Sequence, residues 1–449
     1  MFRRPRVVIH LGYILIVFLI ISLALAAGVR RIPYEHHVMV GEELPWRAVF
    51  PPYVAARLAP SPAQGQAGPE ILGLSQGRPV AREPGRASLQ LYLFGLLPVK
   101  TVQVDVLPPV EVVPGGHSIG VLLENQGVTV VGYAPILEPG GKEAYPARDA
   151  GVLLGDVLLA VNGREVRSDE ETAGLIDRAG AGGRPVELKV RRGRQVLQLS
   201  VPPAKCAQTG RFRIGMYIRD SAAGVGTLTF YDPRRQAYAA LGHAVTDSLS
   251  QDQAQVEGGR IVQASVEGIQ PGHRGQPGEK IGFFAGGKYW GTIDRNTPFG
   301  IFGRLTTSLP PAVYNHPVPV AMDYQVHTGP AQILTVVTGT AVEAFDITID
   351  AVISEEKERG RGLVIRITDP RLLVVTGGIV QGMSGSPILQ EGRLVGAVTH
   401  VFVNDPTRGY GVLAQWMLLE TDLFGVKVPD LGCLPVRPGE AEHDYLLPA

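Results

Sequence analysis

Hydrophobic and polar positions change rhythm along this chain. Val7 to Val29 contains no Asp, Glu, Lys or Arg, and as a helix it is long enough to cross the ~30 Å hydrocarbon core of a bilayer. Farther on the period becomes two. Leu89, Leu91 and Leu93 alternate with polar or smaller neighbours, and Val102, Val104 and Val106 do the same. With Gly95 and Pro98 between the runs, this predicts a β-hairpin or two edge strands. Val186 to Val190 and Val196 to Val201 predict two more strands. Ser168 can cap a helix running to about Ala179, because Glu171 stands at the capping-box offset and Gly180 follows as a stop.

From Arg213 onward short apolar runs follow one another: Thr227 to Phe230, Arg260 to Val266, Ile281 to Phe284, Ala331 to Val337, Val342 to Ile349, Leu363 to Ile367, Leu372 to Val375 and Gly396 to Val403. Glycine, proline and Asx turns separate them. About ten or more short strands with little helix predict a sandwich or double barrel. The expected fold is therefore mainly β, in agreement with 56 glycines and 36 prolines.

The N-terminal run has a direction. Arg3, Arg4 and Arg6 precede it, and the positive-inside bias keeps them in the cytoplasm. Everything after Arg30 is then extracytoplasmic. Leu23 to Gly28 also offers small residues at signal-peptidase spacing, so a cleaved signal is the alternative to the favoured transmembrane anchor. Five segments are expected: an anchor or signal over 1–30, a β-rich pre-domain and linker over 31–110, a compact module over 111–204, a larger β domain over 205–435 and a loosely held tail over 436–449.

Charge excludes some partners. The chain carries 42 basic and 42 acidic residues, so no global field recruits nucleic acid. Cys206 and Cys433 lie too far apart for a CxxC metal or redox motif, and they are read as unpaired thiols. No metal cluster and no cofactor are expected.

The 111–204 module has a specific core, Leu153-Leu154-Gly155-Asp156-Val157-Leu158-Leu159-Ala160-Val161-Asn162-Gly163, whose Asn-Gly is a strong turn signal between apolar strands. The segment resembles a PDZ domain of the bacterial protease type. That resemblance implies an extended peptide added as a strand, with its carboxylate received by the loop Ser118-Ile119-Gly120-Val121.

Candidate chemistry centres on Gly382-Met383-Ser384-Gly385-Ser386-Pro387. A serine between two glycines, closed by proline and leading into Ile388-Leu389, reads as a tight turn entering a strand. It resembles the nucleophile turn of chymotrypsin-like serine proteases. Such a turn aims Ser384 Oγ outward and presents the amides of Gly382 and Ser384 as an oxyanion hole. Ser386 is the supporting serine. A plain β-turn with a self-bonded serine is the competing reading.

A serine nucleophile needs a base and an orienting partner. Of ten histidines, His243 has the best setting, at the end of Ala239-Ala240-Leu241-Gly242. His400 reads as a core or pocket-wall histidine, and His273 as part of an exposed turn. Asp369, closing an apolar strand before Pro370, is the first candidate for the carboxylate. Asp346, Asp350 and Asp247 remain open.

Taken together, the chain resembles the stage IV sporulation protein B (SpoIVB) peptidases. The resemblance rests on the basic N-terminus with its apolar run, the PDZ core, Leu241-Gly242-His243-Ala244-Val245-Thr246-Asp247, and Gly377-Gly378-Ile379-Val380-Gln381-Gly382-Met383-Ser384-Gly385-Ser386-Pro387-Ile388. Asn404-Asp405-Pro406-Thr407 through Gly409-Tyr410-Gly411-Val412 also looks like that family's C-terminal segment.

The resemblance implies a serine endopeptidase with His243 as base, Ser384 as nucleophile and Asp369 as orienting acid, on a chymotrypsin-like double β-barrel. It implies a location in the intermembrane space of the forespore and cleavage of the chain itself. It also implies cleavage of an extracytoplasmic part of a membrane protein that restrains an intramembrane protease, followed by late sigma-factor activation. Its partners are then a peptide or protein substrate, the membrane protein complex of that protease and the membrane, with no nucleic acid. A non-catalytic PDZ scaffold on a protease-like fold is the alternative.

Overall fold

The computed structural model describes residues 34–44, 53–58, 71–75, 78–193, 195–245, 256–353, 360–424 and 446–448, with scattered positions between 20 and 32. Most of the expected membrane segment lies outside the described residues, as do Asp247 and Cys433. Among the described residues, no helix is long and apolar enough to cross a membrane.

The chain divides into two units, 1–110 with 424–430, and 111–423 with 431–449. The first is a four-stranded sheet of β1 (Glu35–Met39), β2 (Val54–Leu58), β3 (Gly85–Leu93) and β4 (Leu97–Leu107), in the order β1-β4-β3-β2. Strands β3 and β4 are the hairpin expected from the alternation. Leu89, Leu91, Val102, Val104 and Val106 are all buried. Phe94 (φ 50°) and Gly95 (φ 73°) take the left-handed backbone that the tight turn demands.

The second unit begins with β5 (Glu111–Pro114) and β6 (Ser118–Tyr133). The PDZ elements follow: β7 (Val157–Val161), α1 (Asp169–Ala181), β8 (Val186–Arg192) and β9 (Gln195–Val201). After them come β10 (Met216–Asp232), β11 (Ala237–Ala240), β12 (Val256–Gln270), β13 (Glu279–Thr292) and β14 (Gly300–Arg304). Strands β6-β10-β11-β14 are hydrogen-bonded in that order, and β12 joins β6 to β13. A bridge between Gly291 and Leu305 closes the ring, giving a first six-stranded barrel. Ile119, Val121, Leu123, Leu228, Tyr238, Ile261, Trp290 and Ile301 fill it.

The PDZ module is an insertion in that barrel. Strands β6 and β10 are long enough to serve both bodies. Residues 118–124 and 221–227 pair inside the barrel, and residues 129–133 and 216–219 pair inside the PDZ sheet. The PDZ core starts at Val128 and Val130 and takes in Leu158, Val161, Leu175, Leu188 and Val201. Ser168 Oγ accepts the Glu171 N–H, as the capping signal predicts. The helix nevertheless continues through Gly180 to Ala181. Gly180 is not a stop: a Cβ there would lie 2.3 Å from the Phe212 ring, so its role is close packing. Asn162 (φ 51°) and Gly163 (φ 76°) make the predicted turn.

This arrangement corrects two expectations. Residues 111–124 belong to the first barrel and not to the PDZ module. Ser118-Ile119-Gly120-Val121 is not an open carboxylate loop, because it pairs with β10 on one side and β12 on the other. Ile119 is fully buried, and a Cβ on Gly120 would lie 2.6 Å from the Phe284 ring. A strand with both edges paired has no free N–H row for a peptide.

The second barrel uses β15 (Gly329–Val336), β16 (Val342–Val352), β17 (Leu363–Ile367), α2 (Pro370–Thr376), β18 (Pro387–Gln390), β19 (Arg393–Phe402) and β20 (Asp405–Leu413). The order β18-β15-β16-β17-β20-β19 closes through β18–β19 pairing, and every pairing is antiparallel. A final strand, β21 (Leu446–Pro448), adds to β19, so this part of the expected tail is held in a sheet.

Candidate active site

The histidine leaves the first barrel through two residues with positive φ. Leu241 (φ 71°) and Gly242 (φ 76°) turn the chain sharply after β11. A bulky residue seldom takes this conformation, and it costs on the order of 1–3 kcal/mol. The surroundings leave little choice. A Cβ on Gly242 would lie 2.9 Å from Thr399 Cγ2, in the second barrel. His243 is thereby delivered to the seam between the barrels.

The serine turn is built by the second barrel and gripped by the first. Met383 N–H donates to Val380 O, Ser386 N–H to Met383 O and Gly385 N–H to Val398 O. Thr227 of β10 donates twice to this turn, from its backbone N–H to Ser384 O at 2.8 Å and from Oγ1 to Gly382 O at 2.9 Å. Gly385 (φ 91°) permits the contact: a Cβ there would lie 2.1 Å from Thr227 O and 2.4 Å from Leu241 N. Ser386 is fully buried, and its backbone supports the turn.

This geometry places Ser384 Oγ 3.0 Å from His243 Nε2 and 3.0 Å from Thr399 O. His243 Nδ1 lies 2.8 Å from Ala244 O. A carbonyl only accepts, so Nδ1 carries the hydrogen and Nε2 turns its lone pair to the serine. Burial lowers the His243 pKa below the ordinary histidine value, against the smaller opposing effect of the Ala244 bond. A neutral imidazole in this tautomer can take a proton from Ser384.

The amides also have defined directions. In a trans peptide the N–H and C=O point opposite ways. Gln381 O accepts Lys280 N–H at 2.9 Å, which turns the Gly382 N–H away from β13. Met383 O accepts Ser386 N–H at 2.9 Å, which turns the Ser384 N–H out of the loop's interior.

Asp369 is not brought to His243. It is the N-cap of α2, accepting Arg371 N–H at 2.9 Å, and its two oxygens take Arg371 Nε and Nη2 at 3.1 and 2.7 Å. The Asp346 N–H also donates to it. Chiefly the Arg371 guanidinium holds this carboxyl at a pKa of about 2. The Asp-Pro sequence explains the result: Asp is a preferred N-cap and Pro a preferred first helical residue. Asp346 accepts from Gln332, and Asp350 pairs with Arg366 and Arg408. The partner found on His243 Nδ1 is a backbone carbonyl.

Two further residues, Thr227 and Lys280, are beyond the reach of sequence patterns. Thr227 is one threonine in a strand. Lys280 is buried with Nζ 2.8 Å from Thr335 Oγ1, and its stem would lie 3.1 Å from a Cβ on Gly382. Burial lowers its pKa to about 7. His400 sits with its ring centroid 5.4 Å from that of His243. Burial, the neighbouring His243 and Arg361 lower its pKa to about 3.

Two barrels, a serine–histidine pair at their seam and a PDZ insertion define the class as a two-barrel serine peptidase. Residues 210–418 match the family model described as SpoIVB peptidase S55, and residues 140–192 match that of a PDZ domain. The chain is a SpoIVB-like, PDZ-containing peptidase. Two curated proteins from strains of Xylella fastidiosa, each described as "Putative zinc metalloprotease", are 29% identical over 105 residues, 23% of this chain and 21% of theirs. The chain thus spans about a fifth of the length of these curated relatives.

Proposed function

We propose that this peptidase is a membrane-associated serine endopeptidase. It cleaves itself and an extracytoplasmic part of a membrane protein, and so triggers intramembrane proteolysis and late sigma-factor activation during sporulation. Its place is the intermembrane space of the forespore, held to the membrane by the segment around Val7 to Val29. The family resemblance and the basic, apolar N-terminus support this setting.

The observation that carries the chemistry is the 3.0 Å separation of Ser384 Oγ and His243 Nε2. Ser384 Oγ attacks the scissile carbonyl carbon while His243 Nε2 takes its proton. The amides of Gly382 and Ser384 stabilise the oxyanion. His243 returns the proton to the leaving amine, and water, deprotonated by the same imidazole, releases the acyl group from Ser384. Ala244 O keeps the Nδ1–H oriented and stabilises the imidazolium, the task an aspartate performs in the usual triad.

Incubation of the full chain with a serine-directed phosphonate tests the reading. The expected result is an adduct on Ser384 in the wild type and neither adduct nor self-cleavage in a folded Ser384→Ala variant. Persistent self-cleavage by purified Ser384→Ala overturns it.

A further inference from the structure

One edge of β19 carries three different partners in succession. Residues Arg393 to Ala397 pair with β18. At Val398 the nucleophile turn takes over: Gly385 N–H donates to Val398 O at 2.8 Å, and Val398 N–H donates to Ser386 O at 3.0 Å. At Thr399 the carbonyl meets Ser384 Oγ. Beyond Thr399, β21 covers the edge, with His400 opposite Pro448, Val401 opposite Leu447 and Phe402 opposite Leu446.

The pairing of β21 is antiparallel, so its direction is fixed. It runs from Phe402 towards Thr399, and therefore towards Ser384. The register, continued by one position along β19, comes to Thr399, whose carbonyl lies 3.0 Å from the nucleophile. A peptide laid on this edge would present to Ser384 the carbonyl of the residue that falls opposite Thr399. Leu446–Pro448 thus lies where the residues before a scissile bond would lie.

We propose that Leu446–Pro448 is a built-in occupant of the peptide-substrate position beside Ser384, and that it competes with extended peptides for the edge of β19. The inference rests on the reading of Ser384 as nucleophile. Strand addition draws its affinity from main-chain hydrogen bonds, and three residues make few of them. A weak contact still suffices within one chain, because tethering gives an effective concentration on the order of millimolar. Such a contact is readily displaced by a longer substrate strand. No bond is made or broken in this step.

The test uses the full chain and its Leu447→Pro variant, in which proline removes a backbone donor from the added strand. The first readout is the rate of phosphonate labelling at Ser384. The expected result is labelling about tenfold faster in Leu447→Pro than in the wild type, by release of the edge. The second readout is fluorescence anisotropy of a labelled peptide of residues 441–449, Ala-Glu-His-Asp-Tyr-Leu-Leu-Pro-Ala. It should bind Leu447→Pro about tenfold more tightly than the wild type and slow the labelling competitively. Equal labelling rates with equal peptide binding overturn the proposal.

If neither chain takes an adduct, the peptidase reading falls and the anisotropy alone decides the inference. Tighter binding to Leu447→Pro keeps the segment on the edge, and equal binding removes it. Should Leu447→Pro fail to fold, a chain ending at Tyr445, which lacks the added strand, carries the same comparison.

Discussion

The Thr227 N–H donates to Ser384 O at 2.8 Å, joining the first barrel to the serine turn of the second. With Oγ1 on Gly382 O, one threonine holds both carbonyls that flank Met383. The position of the serine relative to His243 is therefore a property of the barrel seam and not of either barrel alone.

Thr227→Val keeps the backbone bond and loses the hydroxyl, leaving Gly382 O buried without that donor. Stability should fall by about 1–3 kcal/mol in chemical denaturation. The phosphonate labelling rate should fall about tenfold with KM nearly unchanged, since the loss acts on the turn and not on substrate binding. Thr227→Ser should restore both, and a normal labelling rate in Thr227→Val would show that the hydroxyl does not position the turn.

Asp369 separates an orienting acid from a helix cap. Amidation of a triad aspartate drops kcat by about 10⁴-fold. Asn remains a good N-cap, so Asp369→Asn should keep kcat within about tenfold of the wild type. Asp369→Ala should cost about 1–2 kcal/mol of stability. The cap also has a pH signature. The folded pKa of about 2 lies below the ordinary carboxyl value of ~3.9, so the stabilisation is complete above the latter. It is lost as pH falls from ~4 towards 2. Thermal melts of wild type and Asp369→Ala should converge across that range.

Lys280 gives a slope of the same sign at alkaline pH, but there it reflects relief of a penalty and not the gain of a stabilising contact. The folded amine titrates at about 7, and an unfolded lysine at ~10.4. Between these values the unfolded chain binds the extra proton, so stability rises with pH. Lys280→Met removes this penalty. Its gain over the wild type should be largest below pH ~7 and should shrink steadily towards pH ~10. A constant gain in urea titrations over that interval would contradict a buried, depressed amine.

The activity profile should follow His243. The base must be neutral, and burial lowers its pKa. The acid limb of kcat/KM should therefore lie below the ~6.5 of a free histidine. A limb at or above that value, measured on a peptide substrate, would mean that the imidazole is not desolvated as the structure has it. His400 should contribute no second limb near neutrality, because its pKa of about 3 keeps it uncharged there.

Much of the local architecture was legible because it rests on local physics. Period-two alternation marked the β3–β4 hairpin, Ser168 marked the start of α1, and Asn162-Gly163 marked the turn after β7. Gly382 to Pro387 marked a turn, and the setting of His243 marked its partner. The errors have a common cause. Ser118 to Val121 looks like a PDZ loop in one dimension, but two strands distant in sequence claim its edges. Asp369, closing an apolar strand, reads as an orienting acid in one dimension, whereas the arginine two residues on and the helix it starts claim the carboxylate.

The sequence by itself determined a mainly β chain with a PDZ module, a serine turn bounded by glycines and a histidine in a small-residue setting, because turn chemistry and alternation are read residue by residue. Tertiary structure decided which groups meet. Closing two barrels against each other brought Thr227 and Leu241 onto Gly385 and set His243 on Ser384, and the open edge of β19 took up Leu446–Pro448. The Thr227 hydroxyl and the Gly382 carbonyl it holds are 155 positions apart. No local pattern encodes such pairings, because they arise when apolar faces are buried together and every strand edge must find a partner.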